Sequence, residues 1–191
     1  MIRLRIAEER DAEALLSIYS YYVDNTAITF EWSVPTVQEF GDRIRSTKTF
    51  FPYLVAYDDE TSEAVGYAYA SHFNHRKAYE WCAEVSIYVD KDHRKNGVGK
   101  LLYAKLEEIL QLQGIIRLYA CVAYSDIPLK ELDSNSLEFH KRMGYRLVGT
   151  FQSCGYKFGR WFDMVWMEKT ISECRNNIES VVPFPELNKK I

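Results

Sequence analysis

Two groups of residues point to chemistry. The first is Arg94-Lys95-Asn96-Gly97-Val98-Gly99-Lys100, in which two glycines one residue apart follow basic side chains. The second is Glu84, a carboxylate inside the otherwise apolar run "CAEVSIYV". Glycines at a helix start leave amides unpaired at the positive end of the helix dipole, and together these attract an anion. A carboxylate in an apolar strand is costly unless it is paired or used. Burial would raise its pKa toward the working pH and make it a better base. On the residues alone, an outward-facing, solvated Glu84 stays equally open.

These residues need elements to hold them. "EVSIYVDKD" is rich in β-branched and aromatic residues and reads as a strand. "KLLYAKLEEILQLQG" carries Leu101, Leu102, Leu106, Ile109 and Leu110 at helical spacing, with Gly114 as the stop. The glycines therefore sit at a strand-to-helix turn. Upstream, "IRLRIA" reads as a strand, "AEALLSIYSYYV" as a helix, and "TVQEFGDRIRS" as a second helix capped by Thr36. "FPYLVAYDDETSEAVGYAYASHF" reads as an antiparallel hairpin. Downstream, "GIIRLYACVAY" is a strand that completes a right-handed parallel crossover, and "SNSLEFHKRMG" is a short helix stopped by Gly144. "YRLVGTFQSCGYKFGRWFDMVWMEK" is a final pair of strands.

The resulting order is β-α-α-β-β-β-α-β-α-β-β. That is an α/β (α+β) protein with a mixed, mostly antiparallel sheet flanked by helices. One domain is expected over residues 1–170, with a loosely attached polar tail over 171–191.

Composition excludes several classes. A chain of 191 residues buries roughly 70% of its unfolded surface, enough for one core. The net charge of −3 gives no electrostatic reason to propose nucleic acid. No signal-peptide core or membrane run is visible at the start. The four cysteines, Cys82, Cys121, Cys154 and Cys174, lack zinc spacing; three lie in strand-like runs where buried, reduced thiols are expected. The expectation is a cytoplasmic protein without a membrane partner. His72 and His75 have no third ligand nearby, so no metal is expected. A hydrolase elbow GxSxG is absent. Trp81 and Trp161 are read as packing.

Three anion-binding motifs compete for the glycine turn. A Walker loop requires Ser or Thr after Lys100, where Leu101 stands. A dinucleotide fingerprint requires a third glycine and a later acidic residue, and has neither. The remaining pattern, Arg-x-x-Gly-x-Gly, resembles the pyrophosphate loop of the GCN5-related N-acetyltransferase (GNAT) superfamily, which binds acetyl-coenzyme A. The likeness runs from "IRLRIA" to "MVWMEK" and is strongest to the phosphinothricin acetyltransferase-like group. It is carried by "RKAYEWCAEVSIYV", "SLEFHKRMGYRLVGT" and, most specifically, "CGYKFGRWFDMVWMEK".

The resemblance implies a GNAT fold and roles for particular residues. Glu84 is the implied general base. Pantetheine is implied to lie along the main chain of Ile87, Tyr88 and Val89, with the Ile87 N–H toward the thioester oxygen. Arg94 to Lys100 are implied to hold the pyrophosphate, missing Cβ atoms letting the backbone close on it. His140 stands where many relatives carry a tyrosine; its role is open between acid, base relay and coenzyme contact, or plain packing. Asp133 replaces the Asn usual in the same helix, so Asn135, Ser136 or Arg142 is the alternative coenzyme contact. Arg76 matches the arginine expected to grip the acceptor carboxylate. Phe30, Glu31 and Tyr79 are implied to line the acceptor pocket.

The implied activity is direct transfer of acetyl from acetyl-coenzyme A to the α-amine of a small amino-acid-like acceptor, such as phosphinothricin or methionine sulfoximine or sulfone. The implied assembly is a homodimer through the hydrophobic "YKFGRWFDMVWM" end. Two alternatives stand beside it: another amine acceptor (polyamine, antibiotic or protein N-terminus), or a non-catalytic acyl-coenzyme A-binding module.

Overall fold

The structure is a computed structural model that describes residues 1–127 and 129–187. The elements are β1 (Ile2–Ile6), α1 (Ala12–Asn25), α2 (Val37–Lys48), β2 (Tyr53–Asp58), β3 (Ala64–His72), β4 (Cys82–Val89), α3 (Val98–Gln113), β5 (Arg117–Tyr124), α4 (Asn135–Arg142), β6 (Arg146–Lys157), β7 (Arg160–Thr170) and a short α5 (Phe184–Leu187). Up to β7 this is the order expected from the residue patterns. No helix among the described residues is long and apolar enough to cross a membrane.

Seven strands form one sheet in the order β1-β2-β3-β4-β5-β7-β6. Every neighbouring pair is antiparallel except β4 and β5. That parallel pair is short: it holds only Cys82 with Arg117, Ala83 with Leu118, and Glu84 with Tyr119. Beyond Glu84 the two strands part. A cleft opens there in the middle of the sheet.

Alternation along β4 sends its side chains to two layers. Ala83 and Val85, with Ala68 and Ala70 of β3, join the core under α3 through Leu102, Leu106 and Leu110. Tyr67 and Tyr88 lie on the other side, against Leu15, Tyr19 and Tyr22 of α1 and Phe40 and Ile44 of α2. Glu84 shares this second face, because Ser71 pairs with Glu84 just as Tyr67 pairs with Tyr88. Local chemistry sets the helix ends. Thr36 and Glu39 exchange bonds in a capping box at α2. Gly97 and Gly114 bracket α3 with φ of +83° and +93°, a region that favours glycine.

Three expectations need correction. Residues 171–187 are not loose: Val181 and Phe184 are 5% and 4% exposed, and the Val182 and Phe184 N–H groups bond to the Gln113 and Phe50 carbonyls. The buried Gln113 side chain also donates to the Phe50 and Val182 carbonyls, at 2.8 and 2.9 Å. Residues 188–191 of that tail lie outside the described residues. The strand thiols are not buried either: Cys121 and Cys154 are exposed and Cys82 is partly exposed, Cys154 lying on the edge strand β6. Trp161 is not core packing: it is 62% exposed and meets only the Tyr156 ring among the aromatic contacts of the described residues, at 5.1 Å.

Candidate active site

Glu84 occupies the fork where β4 and β5 separate. It is half-buried, and desolvation alone pushes its carboxyl pKa up, with no cation or hydrogen-bond donor lowering it. A carboxylate held this way is a stronger base than one in water.

The cleft past Glu84 holds a cavity of ≈ 50 Å³ lined by Val85 to Tyr88 on one side, Cys121 to Ala123 on the other, and Ile28, Tyr103, Ser136 and His140. Which β4 amides face it follows from the ladder. The Asp90 N–H bonds to the Val65 carbonyl, which fixes the alternation. Tyr88 and Ser86 therefore direct their main-chain groups to β3, while Val85, Ile87 and Val89 turn theirs to the cleft. Val89 is already engaged: its N–H donates to the Tyr22 hydroxyl at 3.3 Å, and its carbonyl accepts from the same hydroxyl. Of the three residues expected to offer their main chain, only Ile87 faces the cleft free of Tyr22. The expectation for Tyr88 and Val89 is corrected accordingly.

His140 is 4% exposed. Its Nδ1–H donates to the Ser136 carbonyl at 2.8 Å, so its Nε2 accepts from the Tyr103 hydroxyl at 3.0 Å. Burial pushes the imidazole pKa down to about 4. The ring is neutral at pH 7 and carries no spare proton there. As an acid it can act only by relaying the Tyr103 proton.

At the glycine turn, Lys95 and Gly97 both have positive φ, +65° and +83°, so successive amides curve into a concave nest ahead of α3. A Cβ on Gly97 would meet nothing within 4 Å, which leaves the backbone open to a ligand. Gly99 has a different cause: its Cβ would lie 3.0 Å from the Phe139 ring, so this glycine lets α4 pack against the turn. Val98 is buried as the anchor. Lys95, Asn96 and Lys100 are exposed. Arg94 instead lies over the Tyr22 and Tyr21 rings at 5.0 and 5.6 Å, with its Nη2 buried and unpartnered among the described residues.

Asp133 is not part of α4. It precedes the helix, takes the Asn135 N–H at 3.0 Å and side-chain amide at 2.6 Å, and stands 3.8 Å from Arg94. Asp133 and Asn135 thus adjoin the turn. Arg142 sits at the far end of α4 from Asn135, seven residues or about 10 Å along the axis.

The residues expected to line an acceptor pocket include Phe30 and Glu31, in the loop between α1 and α2 that β6 and β7 clamp. The Lys157 residue is 3% exposed, and its Nζ donates to the Thr26 and Thr29 carbonyls, both at 2.9 Å. The Trp32 indole N–H donates to the Tyr156 carbonyl at 3.1 Å. Phe30 packs near Phe162, its ring filling the space beside Gly155. Glu31 is held by both arms of Arg43, at 2.7 and 3.3 Å. Across the fork, Phe73 stacks on Tyr119, the partner of Glu84, with centroids 4.2 Å apart, and Tyr79 meets Phe73 edge-on. Arg76, in the same loop, is exposed.

The comparisons with known proteins decide the family. A family model described as "Acetyltransferase (GNAT) domain" matches residues 4–166. The chain belongs to this family. It is similar to a phosphinothricin N-acetyltransferase from Streptomyces coelicolor, 34% identical over 172 residues, 89% of this chain and 96% of that protein. It also matches a L-methionine sulfoximine/L-methionine sulfone acetyltransferase from Pseudomonas aeruginosa, 30% identical over 91% of this chain and 96% of that protein. Among solved structures, a GNAT superfamily phosphinothricin acetyltransferase from Sinorhizobium meliloti in complex with AcCoA superposes with a TM-score of 0.82, 28% identity, and coverage of 96% of this chain and 98% of that one.

This GNAT domain also shows contacts by residues that its sequence left without a role. Tyr103 reads as one more apolar position on α3, yet its hydroxyl meets His140 at the cleft. Lys157 lies within "GYKFGRW", a stretch whose specificity was visible while the lysine's contacts, across more than a hundred residues, were not.

Proposed function

We propose that this GNAT domain transfers an acetyl group from acetyl-coenzyme A to the α-amine of a small amino-acid-like acceptor. One observation carries the reading: a desolvated carboxylate, Glu84, stands at the fork between an open cleft and a clamped, aromatic acceptor loop. The residues fit the coenzyme, since the nest at Lys95 to Gly97 is open and Arg94 keeps a buried donor unpaired. Acetyl-coenzyme A, when bound, supplies a thioester that a neutral amine can attack.

Each remaining part belongs to the chain. Glu84 takes the proton from the acceptor ammonium, directly or through water, as its raised pKa favours. The Ile87 N–H faces the cleft, where it can donate to a carbonyl that gains charge. Tyr103, bonded to neutral His140 and with burial holding its phenol protonated, is the hydroxyl lining the cleft that can hydrogen-bond a departing thiolate, which takes its proton from solvent. Arg76, exposed beside the Phe73–Tyr119 stack, suits the acceptor carboxylate as a two-pronged donor. A polyamine acceptor would leave that cation opposed rather than matched.

The same reading includes a homodimer in the cytoplasm. Edge strand β6 exposes Leu147, Val148 and Phe151, each more than half, next to exposed Trp161. Sedimentation of L147E/F151E should show a monomer where the parent sediments as a dimer.

Thiol release from acetyl-coenzyme A tests the activity, with methionine sulfone, methionine sulfoximine, phosphinothricin, spermidine and a short peptide as acceptors. Release with the free amino acids alone supports the reading. Release with spermidine or peptide alone moves the acceptor and removes the role of Arg76.

A further inference from the structure

The loop between α1 and α2 is tied to β6 through Lys157 and Trp32, and it is tied again from behind, by the two helices that it joins. Tyr19 of α1 is 5% exposed, and its hydroxyl shares a hydrogen bond of 2.8 Å with Thr29 Oγ1. Arg43 of α2 holds Glu31 with both arms, at 2.7 and 3.3 Å. The two ties meet, because the Glu31 N–H donates to the same Thr29 Oγ1 at 3.3 Å. Phe30 therefore stands between two neighbours whose side chains are both engaged. Its own side chain stays free to take the direction they impose.

Packing behind these ties is open. A cavity of ≈ 470 Å³ lies under α2, with Tyr53, Tyr67 and Tyr69 of the sheet on one side and Tyr19, Phe40 and Arg43 on the other. A side chain beside a space of that size has contact atoms on one side only, so dispersion does little to fix it there. The loop's seat on the helices is set by directed bonds rather than by close packing.

Magnitude separates two roles for the ion pair. The Arg43 and Glu31 side chains are 46% and 36% exposed, and a pair this open adds little stability. Two parallel N–H···O bonds do fix a direction, which a single contact does not. The pair is therefore a geometric tie. With both oxygens on Arg43, the Glu31 carboxylate is a handle on the loop rather than a charge offered to the acceptor.

Resting on the acetyltransferase reading above, we propose that Tyr19 and Arg43 are positioning residues for the acceptor. They act through Thr29 and Glu31 to aim Phe30, and neither touches the substrate itself.

The test is kcat/KM for the free amino acid that the parent acetylates fastest, measured with the full chain, R43Q, E31Q, E31Q/R43Q and Y19F. Half-saturation by acetyl-coenzyme A, the urea midpoint and hydrogen exchange of residues 27–33 are followed beside it. Y19F keeps the ring against Phe40 and Tyr88, so the variant folds as the parent does. R43Q and E31Q should each lose about tenfold, and the double variant no more than either, since each residue acts only through the other. Y19F should lose about three- to tenfold. In all four, half-saturation by acetyl-coenzyme A should stay within about twofold of the parent, and loop exchange should quicken.

Losses that multiply in E31Q/R43Q overturn the tie, because Glu31 then works apart from Arg43. Unchanged rates in R43Q and Y19F overturn it as well, as does an equal loss in acetyl-coenzyme A binding. A parent that releases thiol with no amine overturns the acetyltransferase reading by itself. Loop exchange then judges the tie alone: faster exchange in R43Q and Y19F supports the hold on the loop, and exchange equal to the parent's overturns it.

Discussion

Gly155→Ala is the smallest change that tests whether β6 and β7 clamp the acceptor loop. A Cβ at position 155 would fall 2.3, 2.4 and 2.7 Å from three carbons of the Phe30 ring. Carbon atoms settle at about 3.5–4.0 Å, so ring and strand must separate by about 1.2–1.7 Å (3.5 or 4.0 less 2.3). Lys157 and Trp32 hold the loop on both sides of Phe30, so the strain passes to the loop's position. Overpacking of this kind costs about 1–3 kcal/mol of stability. A displacement of that size at a substrate-positioning residue costs on the order of a hundredfold in rate. The assay is acceptor kcat/KM beside urea denaturation, with the half-saturation for acetyl-coenzyme A as an internal control, since the glycine turn belongs to α3. F30A/G155A should be no worse than F30A, because the clash has gone. Unchanged kcat/KM and stability in G155A, or additive losses in the double variant, would refute the clamp.

Glu84→Gln should lower kcat by about 10²–10⁴-fold and abolish the acid limb of the pH–rate profile; a limb that persists removes Glu84 as the base. Because burial raises the folded pKa of Glu84, its stabilising contribution is present at low pH and lost as pH rises through that value. In thermal melts, E84Q should therefore be more stable than the parent at neutral pH and no better near about pH 3. His140 has the opposite sign, a cation whose folded pKa is depressed from 6.5 to about 4. The unfolded chain binds its proton first, so about 3 kcal/mol of stability should be lost between those values and be absent from H140Q. A ring titrating near 6.5 by NMR would contradict the buried Tyr103–His140 pair. Phe184→Ala should cost about 3–5 kcal/mol in urea denaturation with the rate constant unchanged, and a loss under about 1 kcal/mol would mean the C-terminal segment does not hold.

The parts of this domain that were legible in the sequence are those fixed by near neighbours. The apolar stripe of α3 and the glycines at 97, 114 and 144 predict its helices and stops, and all three glycines do take positive φ. The β4–α3–β5 crossover follows from strand, helix and strand in succession. Glu84 stood out because a carboxylate in an apolar run needs a reason wherever it folds. What was not legible depends on partners far along the chain. Tail residues Val181 and Phe184 are isolated apolar positions in a polar stretch, and only the buried amide of Gln113 shows why they stay.

The fork itself shows where sequence reasoning stops. "IYV" offers three main-chain segments of equal standing, and no local pattern distinguishes them. The register with β3 spends Tyr88, and a tyrosine from α1 spends Val89, leaving Ile87 facing the cleft. The tyrosines of β2 and β3 behave likewise. In sequence they are ordinary strand residues, suited to a pleated surface. Only the pairing of Tyr53 with Tyr69, and of Tyr67 with Tyr88, stacks them on the face that Glu84 shares. Alternation decides which face each side chain takes, and tertiary packing then decides which hydroxyls find partners. Tyr53, Tyr67 and Tyr69 come together there to line a cavity under α2. The make-up of this face is therefore a property of strand register, which a single chain read residue by residue does not display.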